Sequence, residues 1–134
     1  MTQLSKHFSL EELTFSETAL RRGIDNIPST DILMRLTNTA AAMEEVRYEL
    51  AHPIYVSSGY RCLKLNRAIG SKDTSAHILG YAVDFTCPGF GNPKDVWEHI
   101  GSLNLKYDQL ILEFGRWIHI SFDLRFRQQQ FKIG

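Results

Sequence analysis

The sequence predicts an α+β fold in which N-terminal helices pack on a small antiparallel sheet. Apolar residues recur at spacings of three and four through residues 30–51, which is typical of an amphipathic helix. Later segments alternate apolar and polar residues as half-buried strands do, and Gly115-Arg116 lies between two of them as a hairpin loop. Because the helices precede most of the strands, the class is α+β.

Helix start and stop signals divide the N-terminal part of the chain. Ser9-Leu10-Glu11-Glu12 is a capping box that opens a short helix. Ser16-Glu17-Thr18 is a possible second start, for a helix ending near Gly23. The longest helix spans about Thr30–Ala51, and Pro53 follows its end.

The rest of the chain is predicted to form shorter elements. The predicted strands are Ile54–Val56, Tyr81–Thr86, Tyr107–Phe114 and Trp117–Asp123, and the predicted helices are Leu63–Ala68, stopped by Gly70, and Lys94–Leu103. The tail Arg125–Gly134 is polar and weakly patterned, so the sequence assigns it no element.

Length and composition indicate one domain, 1–134, with an ordinary core. The 15 basic and 15 acidic residues balance, so bulk charge does not favour a nucleic-acid or membrane surface. No apolar run approaches the roughly 20 residues that span a bilayer. The N-terminus has no apolar signal core, so we expect synthesis in the cytoplasm without a signal peptide. We expect Cys62 and Cys87 to be free, packed thiols.

Three residues of suitable chemistry for a metal stand in the second half of the chain. His77 is followed seven residues later by Asp84 and, 35 residues after Asp84, by His119. Two imidazoles and one carboxylate, with a position left for water, form the ligand set of a catalytic zinc site. Residues seven apart on one helix are roughly 10 Å apart, so the chain must reverse between His77 and Asp84. Gly80 can adopt the dihedral angles of such a turn.

Strand alternation places two of these residues on polar faces. His119 faces away from the apolar Ile118 and Ile120 of its own strand, and Asp84 likewise faces away from its apolar neighbours. A buried aspartate is costly unless it is paired or bound to a metal. The three other histidines have no such context and are interpreted as surface residues: His7, His52 and His99.

Several motifs follow one another along the chain: Phe8-Ser9-Leu10-Glu11-Glu12-Leu13, Asn26-x-Pro28, Ser57-Ser58-Gly59-Tyr60-Arg61-Cys62, Asn66, Ser75-x-His77-x-x-Gly80-x-Ala82-x-Asp84 and Trp117-x-His119. Together they resemble the zinc D-alanyl-D-alanine carboxypeptidase family, which shares its fold with Hedgehog signalling domains. The first two motifs are similar to the short, single-domain branch found in phages and bacteria. The resemblance extends to about Phe122.

The resemblance implies that His77, Asp84 and His119 bind one zinc ion. It also implies that Arg61 contacts the substrate carbonyl or the developing oxyanion, for which a planar guanidinium is suited. Ser75 would orient the metal site and the substrate next to it.

Two aromatic residues, Tyr60 and Trp117, are candidates for the wall of the substrate pocket. Core packing is the alternative interpretation for each of them.

The catalytic carboxylate is predicted with less support from the family pattern. Several members have a glutamate three residues before the last histidine, where this chain has Arg116. Glu113 is the candidate general base, with an edge-strand surface glutamate as the alternative. If the hairpin loop has an odd length and is centred on Arg116, Glu113 lies opposite His119; a two-residue loop would pair it with Ile118. The runners-up are Asp123 and then Asp108.

The expected function is a zinc peptidase that hydrolyses a peptide bond in peptidoglycan stem peptides, of the D-Ala-D-Ala carboxypeptidase or endopeptidase type. We expect a monomer whose partner is the stem peptide, with no nucleic acid and no membrane insertion. The resemblance implies action on the cell wall after release, as by a phage lysin, or as part of a phage particle. The alternative is a catalytically weak or inactive module that keeps the metal and binds cell wall.

Overall fold

The computed structural model describes residues 2–134. The elements in that range are α1 (Leu10–Thr14), α2 (Glu17–Arg22), α3 (Thr30–Leu50), β1 (Tyr55–Ser58), α4 (Leu63–Ala68), β2 (Ala82–Thr86), α5 (Pro93–Gly101), β3 (Gln109–Glu113), β4 (Trp117–Ser121) and β5 (Gln129–Ile133). The α+β class is confirmed, and every predicted element is present within about two residues of its predicted bounds. Among the described helices, none has the length and apolarity needed to cross a membrane.

The N-terminal helices begin and end at the predicted caps. The Ser9 hydroxyl accepts the N–H of Glu12, and the Glu12 carboxylate accepts the N–H of Ser9, so the capping box of α1 is complete. Ser16 caps α2, which ends at Gly23 with a φ of 62°. The two cysteines are free, as predicted, and Cys62 caps α4 with its sulfur.

The five strands form one sheet in the order β1-β2-β4-β3-β5. Neighbouring strands are antiparallel except β3 and β5, which are parallel. The predicted antiparallel pairing holds for β1, β2, β3 and β4. The expectation of no element in the tail was wrong, because β5 forms there and adds one parallel pair. The reason is physical: all five residues of β5 are exposed, so the strand lacks the alternation that marks a buried face, and its pairing with β3 holds it.

The core lies between α3 and one face of the sheet. The apolar stripe of α3 contributes Leu36, Ala40, Met43, Val46 and Leu50, and the inward face of β2 and β4 contributes Val83, Phe85, Ile118 and Ile120. These strand residues are all fully buried. The predicted alternation is confirmed, and it leaves the opposite face of β2 and β4 for polar side chains.

A close backbone contact fixes α1 against the end of β1. The N–H of Tyr60 donates to the carbonyl oxygen of Leu13 at 2.7 Å. A Cβ atom on Gly59 would lie 2.4 Å from that same oxygen. Only glycine fits this position without moving backbone, so the residue is required by packing.

We predict that Gly59→Ala destabilises the fold by about 3 kcal/mol, because the new methyl group meets rigid backbone. Urea denaturation followed by circular dichroism measures the effect. The comparison is Gly115→Ala, because Gly115 has a φ of +65° but an added Cβ there has no neighbour within 4 Å. We expect this substitution to lower the free energy of unfolding by about 1 kcal/mol. A cost at Gly59 no larger than that at Gly115 would contradict the packing argument.

Candidate metal centre

The segment before β2 reverses direction as the sequence requires. Gly80 has a φ of +79°, and the Tyr81 N–H donates to the Ala76 carbonyl at 3.1 Å. A left-handed conformation of this kind favours glycine. The turn returns the chain so that His77 and Asp84 lie side by side.

The pairing of β2 with β4 supplies the third residue. Asp84 lies directly opposite His119 in this antiparallel pair. Asp84 Oδ1 is 2.9 Å from His119 Nδ1 and 3.2 Å from His77 Nε2. Donors about 2.0 Å from a tetrahedral zinc are roughly 3.3 Å apart, so these separations fit one metal ion. All three candidate ligand atoms lie within 4.8 Å of one another.

The tautomer of His77 also fits a metal ligand. Its Nδ1 is 2.6 Å from the carbonyl oxygen of Gly59, and a carbonyl can only accept, so Nδ1 carries the hydrogen. In the neutral ring, Nε2 then carries the lone pair, on the side of Asp84. A ligating histidine commonly donates its other ring N–H to a backbone carbonyl in this way.

The candidate ligands are almost completely buried: His77 is 2% exposed, Asp84 8% and His119 9%. Burial acts to raise the pKa of the Asp84 carboxyl group, but the charge and hydrogen bonds of the two imidazoles outweigh it and hold that pKa well below its usual range. A carboxylate kept ionised beside two imidazoles is the donor set that a divalent cation requires.

Arg61 and Ser75 join the metal site through His77. The N–H of Arg61 donates to the His77 carbonyl at 3.2 Å. The Ser75 hydroxyl accepts the N–H of His77 at 3.2 Å and a guanidinium N–H of Arg61 at 3.4 Å. The structure thus brings the predicted site residues Arg61 and Ser75 together beside a predicted ligand.

The guanidinium of Arg61 is half-buried and incompletely paired. Its Nε has no hydrogen-bond partner among the described residues. Burial lowers the pKa of the Arg61 guanidinium, and the charges of Asp84 and Glu113 oppose that effect. Arg61 therefore keeps its charge close to both carboxylates, and its unpaired Nε is buried.

Glu113 lies on the face of the sheet that carries Asp84 and His119, which we call the metal face, but it does not lie at the predicted position. The hairpin loop has three residues, Phe114–Arg116, and pairs Glu113 with Trp117, so Ile111 lies opposite His119. The expectation of Glu113 opposite His119 was wrong because the odd-length loop is centred on Gly115. Glu113 is instead the diagonal neighbour of His119, at a Cα separation of about 7–8 Å that a glutamate can bridge.

Trp117 contacts the candidate base directly. Its indole N–H donates to Glu113 Oε2 at 2.6 Å, so it orients one carboxylate oxygen. Tyr60 lies among the core side chains at 8% exposed, which is the alternative considered for it.

The runner-up acids are held by arginines. Asp108 accepts two hydrogen bonds at 2.8 Å from the guanidinium of Arg127, and these bonds lower the pKa of its carboxyl group. Asp123 accepts from the backbone and side chain of Arg125 at 3.0 Å. Of the three acids considered, Glu113 is the one free of such an ion pair.

A cleft of about 540 Å³ opens on the metal face. Its lining includes Ser75, Glu113 and His119. Another cavity, of about 570 Å³, lies beside α3 and is lined by none of the predicted site residues. Of these two cavities, the cleft beside His119 is the one that borders the candidate metal ligands.

Sequence reasoning missed the role of Asn26. Its side-chain amide donates to the carbonyl oxygens of Thr14 and Tyr60 at 2.9 and 3.0 Å, and its Oδ1 accepts the N–H of Cys62 at 2.8 Å. These bonds bracket Arg61 on both sides. The Asn26-x-Pro28 motif was the available signal, but nothing in its spacing names Arg61 as the residue it holds.

The other histidines lie outside this cluster. His52 is exposed as predicted, whereas His7 and His99 are only half-exposed. His7 pairs with Glu44 at 2.6 Å, and His99 packs on the ring of Phe90. They serve local packing and not the metal face.

A family model described as Peptidase M15 matches residues 6–121, which is most of the chain. No curated protein matches the chain. The matched range contains the three candidate metal ligands, Arg61 and Glu113. The chain belongs to the peptidase M15 family.

Proposed function

We propose that this chain is a zinc peptidase that hydrolyses a peptide bond in the stem peptides of peptidoglycan. The observation that carries the proposal is the cluster of His77, Asp84 and His119, with Glu113 on the same cleft and a charged Arg61 close by. Membership of a peptidase family supports the reaction class. We infer the zinc ion from this donor set and the peptidoglycan substrate from the motif resemblance.

Zinc, when bound by two imidazoles and a carboxylate, supplies Lewis acidity that lowers the pKa of water and polarises a carbonyl group. Glu113 is placed to accept the proton of the attacking water and to return it to the leaving amine. The Trp117 indole holds Glu113 Oε2, so Oε1 is the oxygen available for this transfer.

Arg61 is suited to the negative charge that develops on the carbonyl oxygen. Its guanidinium is half-buried, anchored to Ser75 at 3.4 Å and close to the charges of Asp84 and Glu113. A fixed donor in a partly dry site stabilises an oxyanion more than one in water does. Arg61 is therefore assigned to the oxyanion.

The choice of peptidoglycan rests on the motif resemblance, and the choice of a peptide bond rests on chemistry. Glycoside hydrolysis usually needs two carboxylates flanking the bond, and in this cleft Asp108 is bound by Arg127. One acid and a metal suit attack on a planar carbonyl. We further propose that the protein acts on the cell wall as a monomer, after release or within a phage particle.

We predict one zinc ion per chain in the wild type and no stoichiometric zinc in His77→Ala or Asp84→Ala, because each change removes a donor. Elemental analysis of purified, folded protein is the measurement. His52→Ala, which changes an exposed histidine outside the cluster, should retain the metal. A folded wild type that binds no zinc even when zinc is supplied would refute the proposal.

We predict that Glu113→Gln keeps zinc and fold but lowers kcat by roughly 100-fold, because an amide cannot accept the proton. Steady-state kinetics and metal analysis on the same sample test this. Asp123→Asn is the matched control and should keep near-normal turnover. The assignment of the base moves to Asp123 if the two results are reversed.

Digestion of purified peptidoglycan distinguishes a peptidase from a glycosidase and from a binding module without activity. Digestion should release new amino groups or free D-alanine and no new reducing sugar ends. Reducing ends would refute the peptidase assignment. Binding without release of either kind, with zinc present, would favour the cell-wall-binding module, although Glu113 on the cleft argues against it.

A further inference from the structure

The C-terminal strand β5 lies beyond the residues that match the family model. It nevertheless borders the metal cleft, because it pairs with β3, the strand that ends at Glu113. In that parallel pair Phe131 lies beside Ile111 and Ile133 beside Glu113. The strand is thus a part of the site that the sequence analysis left unassigned.

Polar contacts before the strand hold it in place. Arg127 is bound to the buried Asp108 by two hydrogen bonds of 2.8 Å. Gln128 accepts the Tyr107 N–H at 2.6 Å and donates to the Leu105 carbonyl at 2.9 Å. The Phe114 N–H, next to Glu113, donates to the Ile133 carbonyl at 2.7 Å. β5 is therefore fixed at both ends.

The two faces of β5 meet different surroundings. On one face Gln130 donates to the Trp97 carbonyl, and Lys132 Nζ lies 5.3 Å from the centroid of the Trp97 ring. On the other face Phe131 and Ile133 line the cleft that contains His119 and Glu113. They are 37% and 39% exposed, so each presents apolar surface that the protein itself does not cover.

The strand register sets the distance between Phe131 and the candidate metal ligand His119. Asp84, His119, Ile111 and Phe131 lie side by side on four successive strands. Phe131 is two strands from His119, about 10 Å at the usual strand spacing. An extended peptide covers that distance in about three residues.

We propose that Phe131, with Ile133 beside it, forms a remote apolar subsite for the peptide substrate. It binds an alkyl side chain about three residues from the bond that is cut, so the cleft favours an extended peptide over a dipeptide. Phe131 and Ile133 line the same cleft as Glu113 and His119, which argues for the substrate as the occupant of this apolar surface. This inference rests on the proposed peptidase function.

The test compares peptides of different length on matched variants. The probes are the dipeptide D-Ala-D-Ala and the same dipeptide extended by three residues, with a terminal leucine, on either side. We expect Phe131→Ala to lower kcat/KM roughly tenfold for one extended peptide, through KM, and to leave the short peptide unchanged. Phe131→Leu should restore most of the loss. Lys132→Ala, on the opposite face of the same strand, is the control.

A binding measurement separates this inference from the proposed function. Isothermal titration of each extended peptide into Glu113→Gln, with and without Phe131→Ala, reports the subsite even if the wild type hydrolyses nothing. Weaker binding of one extended peptide to the double variant supports the subsite. Equal losses for short and extended peptides, or no loss for either, would overturn it. Zinc content and melting temperature of each variant exclude a merely structural effect.

Discussion

The register between β2 and β4 is the constraint on which the rest of the site depends. It places Asp84 opposite His119 on one face and the apolar pair Val83 and Ile120 on the other. A slip of one residue would turn every side chain of the slipped strand to the opposite face, which would bury either Asp84 or His119 under α3. The hydrophobic core therefore fixes the candidate metal centre, because burial of the apolar face favours only this pairing.

The backbone around Gly59 connects the N-terminal helices to this centre. The Gly59 carbonyl accepts from His77 Nδ1, and the N–H of the next residue, Tyr60, donates to Leu13 at the end of α1. Asn26 ties the same segment to Thr14. The orientation of a candidate ligand thus depends on helices that contribute no ligand. Metal-binding histidines are usually oriented in this way, by hydrogen bonds to groups that do not themselves bind the metal.

The sequence predicted the fold class and every element except β5. It also predicted which face carries Asp84 and His119, because side-chain alternation and helix caps are local signals. It did not predict the position of Glu113 across from Trp117, since this depends on Phe114 and Gly115 both adopting a positive φ. A bulky residue rarely does so. It also missed β5, whose residues are exposed on both faces and whose pairing with β3 is not encoded in its own pattern.

The length of the hairpin loop decides on which face of the sheet Glu113 lies. A two-residue loop would have paired Glu113 with Ile118 and turned the carboxylate into the core. Compared with Gly115-Arg116 alone, the observed loop adds Phe114, and this single residue returns the acid to the metal face. The Arg116 N–H closes the turn on the Glu113 carbonyl at 3.0 Å. Pairing of β5 then holds the same end of β3 from the other side. The turn and the terminal strand thus hold Glu113 from two sides, on the same face of the sheet as Asp84 and His119.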